Sequence, residues 1–419
     1  MSTEPKTKAL ATARLGRLAS MARAGLGTAR SVVGGSSAGI EAAVERLGEL
    51  RGLGTKVGQM AGLLEANLSP EVRAKVGPAL ARLRSQAVRS PYDAIARVVQ
   101  EDFGEPPEAL FARFDREPFA SASLGQVHDA THHDGRHVAV KVQHPGIRDA
   151  FTHDLSNVTS IGRFASSFVM PQRESRDFIS GVKDGFLAEL DYLREADNTR
   201  LFARLVEGDP GISLPEVIDD RTSARVLTTT FLEGVTVEGA RSFDDETRRK
   251  QAAAVRRFLL SSLTDHGVLY ADAHAGNFFF REDGTIGVLD FGSVFVLEEE
   301  RRFGFREMRD AAASLDRSAF GRAAARVLGL ENRVAAEAIA DTQWIGFGGL
   351  VRGEAIHDAH VRRITDQIAV MKGVLVKQRF ALPYFVPFLM RTMLAANALL
   401  AALHAPESGP LGRLPGAPA

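Results

Sequence analysis

The 419-residue chain contains no cysteine, so disulfide scaffolds, thiolate-held zinc, iron–sulfur clusters and thiol nucleophiles are excluded. Net charge is also missing. The 52 Lys and Arg residues balance 52 Asp and Glu, which argues against nucleic acid held by bulk charge. Lysine is scarce, at nine against 43 arginines. Long unbroken apolar runs are scarce as well. Residues 381–403 come nearest, but Arg391 stands near their middle, with Asn397 beyond it and Pro383 and Pro387 before it. A central Arg costs about 2.5–3.5 kcal/mol on insertion scales. This segment is therefore expected to be a buried helix rather than a membrane span. No apolar stretch of signal-peptide type follows the first charges. What remains is ordinary globular composition, 45% hydrophobic and 25% charged, with length for more than one folded unit.

The hydrophobic period changes along the chain. Residues 1–40 form a basic leader in which Lys6, Lys8, Arg14, Arg17, Arg23 and Arg30 meet no acid after residue 4. Leu15, Leu18 and Met21 recur at helical spacing, so the leader is either solvated or an amphipathic helix suited to an anionic membrane surface. Residues 41–104 read as a helical extension, with Leu53, Val57, Met60 and Leu64 on one face and a further helix over 91–103. Residues 119–130 and 137–143 predict strands joined by the turn Asp134-Gly135. Helix is predicted over 147–206 and strand over 217–232. Ser242 with Asp245 suggests a capped helix start. Short apolar runs at 268–270, 277–280 and 286–289 surround Asp283-Gly284, and helix follows residue 297. The Gly/Pro-rich residues 406–419 are expected to be disordered. The fold class is α+β in two lobes: an N-lobe over 105–235 with inserted helices, and a mostly helical C-lobe over 236–405.

Four motifs fall on this frame. Residues 120–127, Ala120-Ser121-Ala122-Ser123-Leu124-Gly125-Gln126-Val127, keep the third Gly and the Val of the kinase phosphate loop G-x-G-x-x-G-x-V. Alanine replaces the first two glycines, and alanine reaches φ > 0 only at a cost. Val138-Ala139-Val140-Lys141 follows, close to the V-A-I-K strand whose lysine grips phosphates. In a chain that favours arginine, a lysine here suggests that a compact ammonium is needed. Asp272 and Asn277 have the spacing of a kinase catalytic loop, and Asp290-Phe291-Gly292 follows. Taken singly, Lys141 reads as a strand-end surface lysine, Asp272 as a loop cap, His274 as structural and Asp290-Phe291-Gly292 as a turn. Taken in order, they supply what phosphoryl transfer requires: a cation on the phosphates and oxygens on magnesium. No Ala-Pro-Glu follows Asp290-Phe291-Gly292, and Ala271 stands where a kinase has the Arg before its catalytic Asp. Both departures argue against protein substrates.

With these residues assembled, the sequence resembles the UbiB (AarF) family of atypical kinases over about residues 50–300. Lys56-Val57-Gly58-Gln59 matches that family's K-x-G-Q helix, Pro118 to Ser123 its Ala-rich loop, and Glu189-Leu190-Asp191 its E-x-D signature. Ala273 and Ala275 replace two prolines of its catalytic loop. The resemblance implies a two-lobed protein-kinase-like fold with an N-terminal helical K-x-G-Q extension, binding ATP or ADP with Mg²⁺. It implies catalytic roles for Asp272 and Lys141 and metal-binding roles for Asn277 and Asp290. Phe119, Ala120, Ser121, Ala122, Ser123, Leu124, Gly125, Gln126 and Val127 would line the nucleotide, with Lys141 paired to Glu195 and Phe231, Leu232 and Glu233 as the adenine hinge. Lys56, Gln59, Glu189 and Asp191 would be regulatory, over the cleft. The implied activity is ATP hydrolysis or γ-phosphate transfer supporting ubiquinone or other isoprenoid-lipid metabolism. The implied setting is cytoplasmic, at the periphery of an anionic membrane, with an isoprenoid lipid or lipid-biosynthesis proteins as partners. The alternatives are a weakly active pseudokinase regulating such a partner and a non-enzymatic lipid-binding protein. A small-molecule kinase of the aminoglycoside or choline type is disfavoured by the K-x-G-Q and E-x-D motifs.

Overall fold

A computed structural model describes residues 89–121, 124–149, 187–329, 333–378, 383, 385–412 and 414. Lys56, Gln59, Ala122, Ser123 and the leader lie outside the described residues. The chain divides into two compact units, residues 1–88 with 146–168 and residues 89–145 with 169–419. The elements below belong to the second.

Helix α1 (Tyr92–Phe103) places Ile95, Val98 and Val99 on one buried face, and Gly104 at φ 79° closes it. After α2 (Pro107–Leu110) come β1 (Arg113–Phe114), β2 (Ala120–Ser121), β3 (Gly125–Thr131) and β4 (His137–Gln143). Helix α3 (Tyr192–Leu205) and β5 (Ile212–Ser213) precede β6 (Val226–Thr230). Strands β1, β3, β4 and β6 pair antiparallel in that order, and β2 adds to β3. Alternation along β4 assigns its two faces. Val138, Val140 and Val142 share a core with Ile95, Val98, Val99 and Ala130, whereas Ala139 and Lys141 face the other way. Helix α1 therefore belongs to the N-lobe, not to the extension that the sequence boundary at residue 104 assigned it to. The strand predicted over 217–232 is confined to β6, because a tight turn at Asp219–Arg221 interrupts it.

The C-lobe begins with α4 (Val237–Ala240). Helix α5 (Asp245–Arg256) runs through a π-helical turn at Arg257–Ser261 into α6 (Ser262–His266). Its N-cap is Asp244, whose carboxylate accepts from Thr247 N at 2.7 Å; the expected cap, Ser242, instead bonds Gly239 O. Strand β7 (Val268–Tyr270) pairs with β10 (Val294–Val296), and β8 (Phe278–Phe280) with β9 (Ile286–Val288) around Asp283-Gly284. Five helices follow: α7 (Glu299–Ala313), α8 (Arg317–Leu328), α9 (Arg333–Arg352), α10 (Asp358–Gln378) and α11 (Val386–Leu403). They pack around one large apolar core.

Among the described residues α11 alone is long and apolar enough to cross a membrane, and 67% of its apolar window is buried inside the protein. Core packing thus accounts for its apolarity. The described part of the tail expected to be disordered, residues 406–412 and 414, docks instead. Arg248 donates to His404 O at 2.8 Å, Arg249 to Glu407 O at 3.2 Å and Arg256 to Gly409 O at 2.8 Å, and Leu414 is buried. Arginines two turns apart on α5 satisfy backbone carbonyls that glycine and proline leave without a ladder.

Candidate active site

The β3–β4 register places Val127 opposite Lys141 on the sheet face away from α1. Lys141 Nζ donates to both carboxylate oxygens of Glu195, at 2.8 and 2.9 Å, and to Asp290 Oδ2 at 3.2 Å. Its ammonium also lies 5.0 Å from the centre of the Tyr192 ring. Burial alone would favour the neutral amine. The carboxylates of Asp290 and Glu195 outweigh it and hold Lys141 well above the ordinary lysine range. Burial in turn pushes the Glu195 carboxyl up to about 7, against the attraction of Lys141. A carboxyl raised in the folded state contributes stability that is present at low pH and lost as pH rises through its folded value. Wild-type stability relative to Glu195→Gln is therefore expected to decline between about pH 4.5 and about pH 7. Melting both proteins across that range checks this, and parallel curves would refute it.

The segment carrying Asp272 and Asn277 joins this group through Asn277 O, which accepts from Leu289 N at 2.9 Å. Tyr270 ends β7 fully buried, and Asp272 follows it, still buried between Ala271 and Ala273. Asn277 Nδ2 donates to Asp272 O at 3.0 Å, which turns the amide donor inward and leaves Oδ1 as the atom for a cation. Asp290 has φ 57°, in the left-handed region that residues with a side chain seldom adopt. Such backbone carries strain of about 1–3 kcal/mol and concentrates at functional sites. Its own carboxylate helps hold it there, with Oδ1 accepting from Gly292 N at 3.1 Å. No extended segment follows: β10 pairs back onto β7, and α7 starts at Glu299. The oxygen donors Asn277 and Asp290 suit a hard divalent cation whose other ligands are phosphate and water.

Several expected nucleotide contacts take other roles. Gln126 is fully buried on the α1 face, where its amide accepts from Ser90 N at 2.8 Å and meets His128 at 3.0 Å. It cannot line the cleft, because alternation along β3 turns it away from Val127. Leu124 is buried, and its carbonyl accepts from His144 N. Phe119 is 52% exposed, with its ring 5.6 Å from that of Phe231. The Phe231 ring stacks on His137 at 4.2 Å, and Glu233 O accepts from Arg281 Nε at 2.9 Å. Among the described residues this leaves the Leu232 N–H and C=O, together with the Phe231 C=O and the Glu233 N–H, as the unpartnered hinge groups. Ala120 and Ser121 form β2, next to the hairpin tip. Asp191 is the N-cap of α3, accepting from Leu193 N at 3.1 Å, and Glu189 is buried two residues before it. The E-x-D motif thus starts the helix that carries Glu195.

Residues 82–324 match the family described as the ABC1 atypical kinase-like domain. The chain belongs to this UbiB/AarF family. Among its relatives, the zebrafish protein named "Atypical kinase COQ8B, mitochondrial" is 30% identical over 73% of this chain and 49% of its own length. The yeast protein named "Atypical kinase COQ8, mitochondrial" is 24% identical over 83% of this chain and 70% of its own. The chain thus spans about half the length of the zebrafish relative. A solved Mycobacterium tuberculosis structure, Rv3197 in complex with erythromycin, has a TM-score of 0.54 at 24% identity, covering 83% of this chain and 88% of that one. It supports the two-lobed fold.

In this ABC1 protein the sequence reading missed three residues. Arg391 registers there only as an obstacle to membrane insertion, yet from α11 it forms an ion pair with the Asp272 carboxylate. A lone charge in an otherwise apolar helix was the available signal, since such a charge needs a buried partner. Tyr192 and Arg281 carried no comparable signal. Their roles, beneath Lys141 and against the hinge carbonyl, arise only from the folded arrangement.

Proposed function

We propose that the cleft binds ATP or ADP with Mg²⁺ and that the protein hydrolyses ATP or transfers its γ-phosphate. The observation that carries this reading is the Lys141–Glu195 ion pair with Asp290 at 3.2 Å, joined to the Asp272–Asn277 segment where Asn277 O accepts from Leu289 N at 2.9 Å. Lys141 would hold the phosphates, Asn277 and Asp290 would hold the metal, and the free Leu232 backbone groups would meet the adenine edge. Bound magnesium would supply charge neutralisation at the transferring phosphoryl group. Asp272 would orient the acceptor, be it water or a hydroxyl. The short link between Gly292 and α7 leaves no peptide-docking shelf, which favours a small or lipid-linked acceptor. Ubiquinone or another isoprenoid lipid is the class that the family likeness suggests, met at an anionic membrane surface or with lipid-biosynthesis proteins.

A second reading, a nucleotide-dependent regulator with little turnover, is favoured by one observation: Arg391 already occupies the Asp272 carboxylate. Phosphate release from ATP, with and without Mg²⁺ and anionic liposomes, separates the two. Turnover that Asp290→Asn abolishes, with the fold intact by melting, is the expected result. Nucleotide-dependent stabilisation without turnover would select the regulator. Full Mg²⁺-dependent nucleotide binding by Asp290→Asn would overturn the site assignment itself.

A further inference from the structure

Helix α3 touches the segment 289–292 at more than the site lysine's partner. Glu195, Asn198 and Phe202 stand at i, i+3 and i+7, on one helical face. Glu195 reaches Lys141. Asn198 Nδ2 donates to the carbonyl of Phe291 at 2.8 Å. Phe202 lies 5.1 Å from the Phe291 ring, which is itself buried. The two preceding carbonyls are held from β7: Tyr270 OH donates to Leu289 O at 2.7 Å and to Asp290 O at 3.0 Å. Three successive carbonyls around the strained Asp290 therefore accept from side chains of two different elements. Of these donors, only Asn198 comes from the helix that also carries Glu195.

We infer that Asn198 is a positioning residue that ties α3 to the left-handed Asp290, so that the lysine pair and the metal-site carboxylate assemble as one unit. The inference rests on the nucleotide-site reading above for the identity of the metal. The physical argument is direct. A non-glycine residue at positive φ relaxes unless its surroundings over-determine it. The Asn198 amide satisfies a carbonyl that would otherwise be left unpaired beside a buried ring. Without it, the 289–292 segment can turn toward ordinary backbone, and the Asp290 carboxylate moves with it. Lys141 keeps its bond to Glu195 in that event, so phosphate contact should survive better than metal contact.

The test compares wild type with Asn198→Leu, similar in size but with no donor, and Asn198→Gln, which retains one. Hydrogen exchange over 289–293 is read without ligand, and Mn²⁺ is titrated by electron paramagnetic resonance in the presence of ADP. Binding of ADP in EDTA is measured alongside. Asn198→Leu should exchange faster and bind Mn²⁺ about tenfold more weakly, the effect of losing one such hydrogen bond. Its metal-free ADP affinity should stay within about twofold, a small change set by the intact lysine pair, and Asn198→Gln should recover part of the loss. Unchanged exchange in a folded Asn198→Leu overturns the inference. Faster exchange with unchanged Mn²⁺ affinity overturns its link to the metal. If Asn198→Leu does not fold, the same readings on Asn198→Ala decide. If wild type binds no Mn²⁺ with ADP, the functional reading fails, and the exchange comparison still decides whether Asn198 holds the segment.

Discussion

Replacing Arg391 with Met is expected to destabilise the protein by about 3–5 kcal/mol, the range for breaking one side of a buried ion pair. The Arg391 and Asp272 side chains are only 14% and 11% exposed, so the stranded carboxylate would find little water. Asp272→Asn strands the arginine in the same way, on a helix where Leu389, Met390 and Met393 are all buried. Removing both charges should cost less than the sum of the single changes, because neither charge is then left alone. Denaturant unfolding of the four proteins checks this. Additive losses would mean that the pair is not coupled in solution. Turnover provides a second reading. If Asp272 orients the acceptor as proposed, Arg391, a fixed cation beside its carboxylate, should contribute on the order of 10²–10³ to kcat, as comparable electrostatic groups do, with nucleotide affinity little changed. A rise in turnover in Arg391→Met would instead make the pair a brake, and would favour the regulatory reading.

Gly125→Ala is expected to have the second-largest effect. A Cβ at this position would collide with the Val142 carbonyl of β4 and stand 2.8 Å from the Tyr192 hydroxyl. Backbone cannot yield as a flexible side chain can, so the loss should reach about 3 kcal/mol, the upper end of overpacking. Displacing Tyr192 would also disturb Lys141, whose ammonium lies over that ring. Nucleotide affinity should therefore fall together with the melting temperature measured without nucleotide. Had the glycine served chiefly as a phosphate cradle, affinity would fall while the ligand-free melting temperature held. That outcome would restore the loop reading of Gly125.

The Gly125 case shows where local pattern stops being informative. The G-x-V spacing correctly marks the strand that faces Lys141, since Val127 and Lys141 share a register position. It cannot tell which side of the strand Gln126 occupies relative to α1, because the motif fixes spacing and not the face that a neighbouring helix covers. The same limit applies at the tail. Its glycines and prolines look disordered by composition, yet arginines on α5 capture its carbonyls. Those arginines stand more than 150 residues before the groups they bind.

By itself the sequence determined much of the order of strands and helices, though not β1, β5 or β10, as well as the lysine strand, the Asp272–Asn277 and Asp290–Gly292 motifs, and through them the family. These are local signals: hydrophobic period, turn residues and short spacings, all set by the geometry of neighbouring peptide units. The family likeness already implied the Lys141–Glu195 pair, which the fold forms, but only the tertiary structure decided that Asn198 holds the Phe291 carbonyl and that Arg391 reaches Asp272. The members of these pairs lie 54, 93 and 119 residues apart in the chain. The physical reason is that a buried charge or strained backbone is stabilised by whatever donor or counter-charge the packed core brings beside it, and that neighbour is fixed by packing rather than by position in the chain.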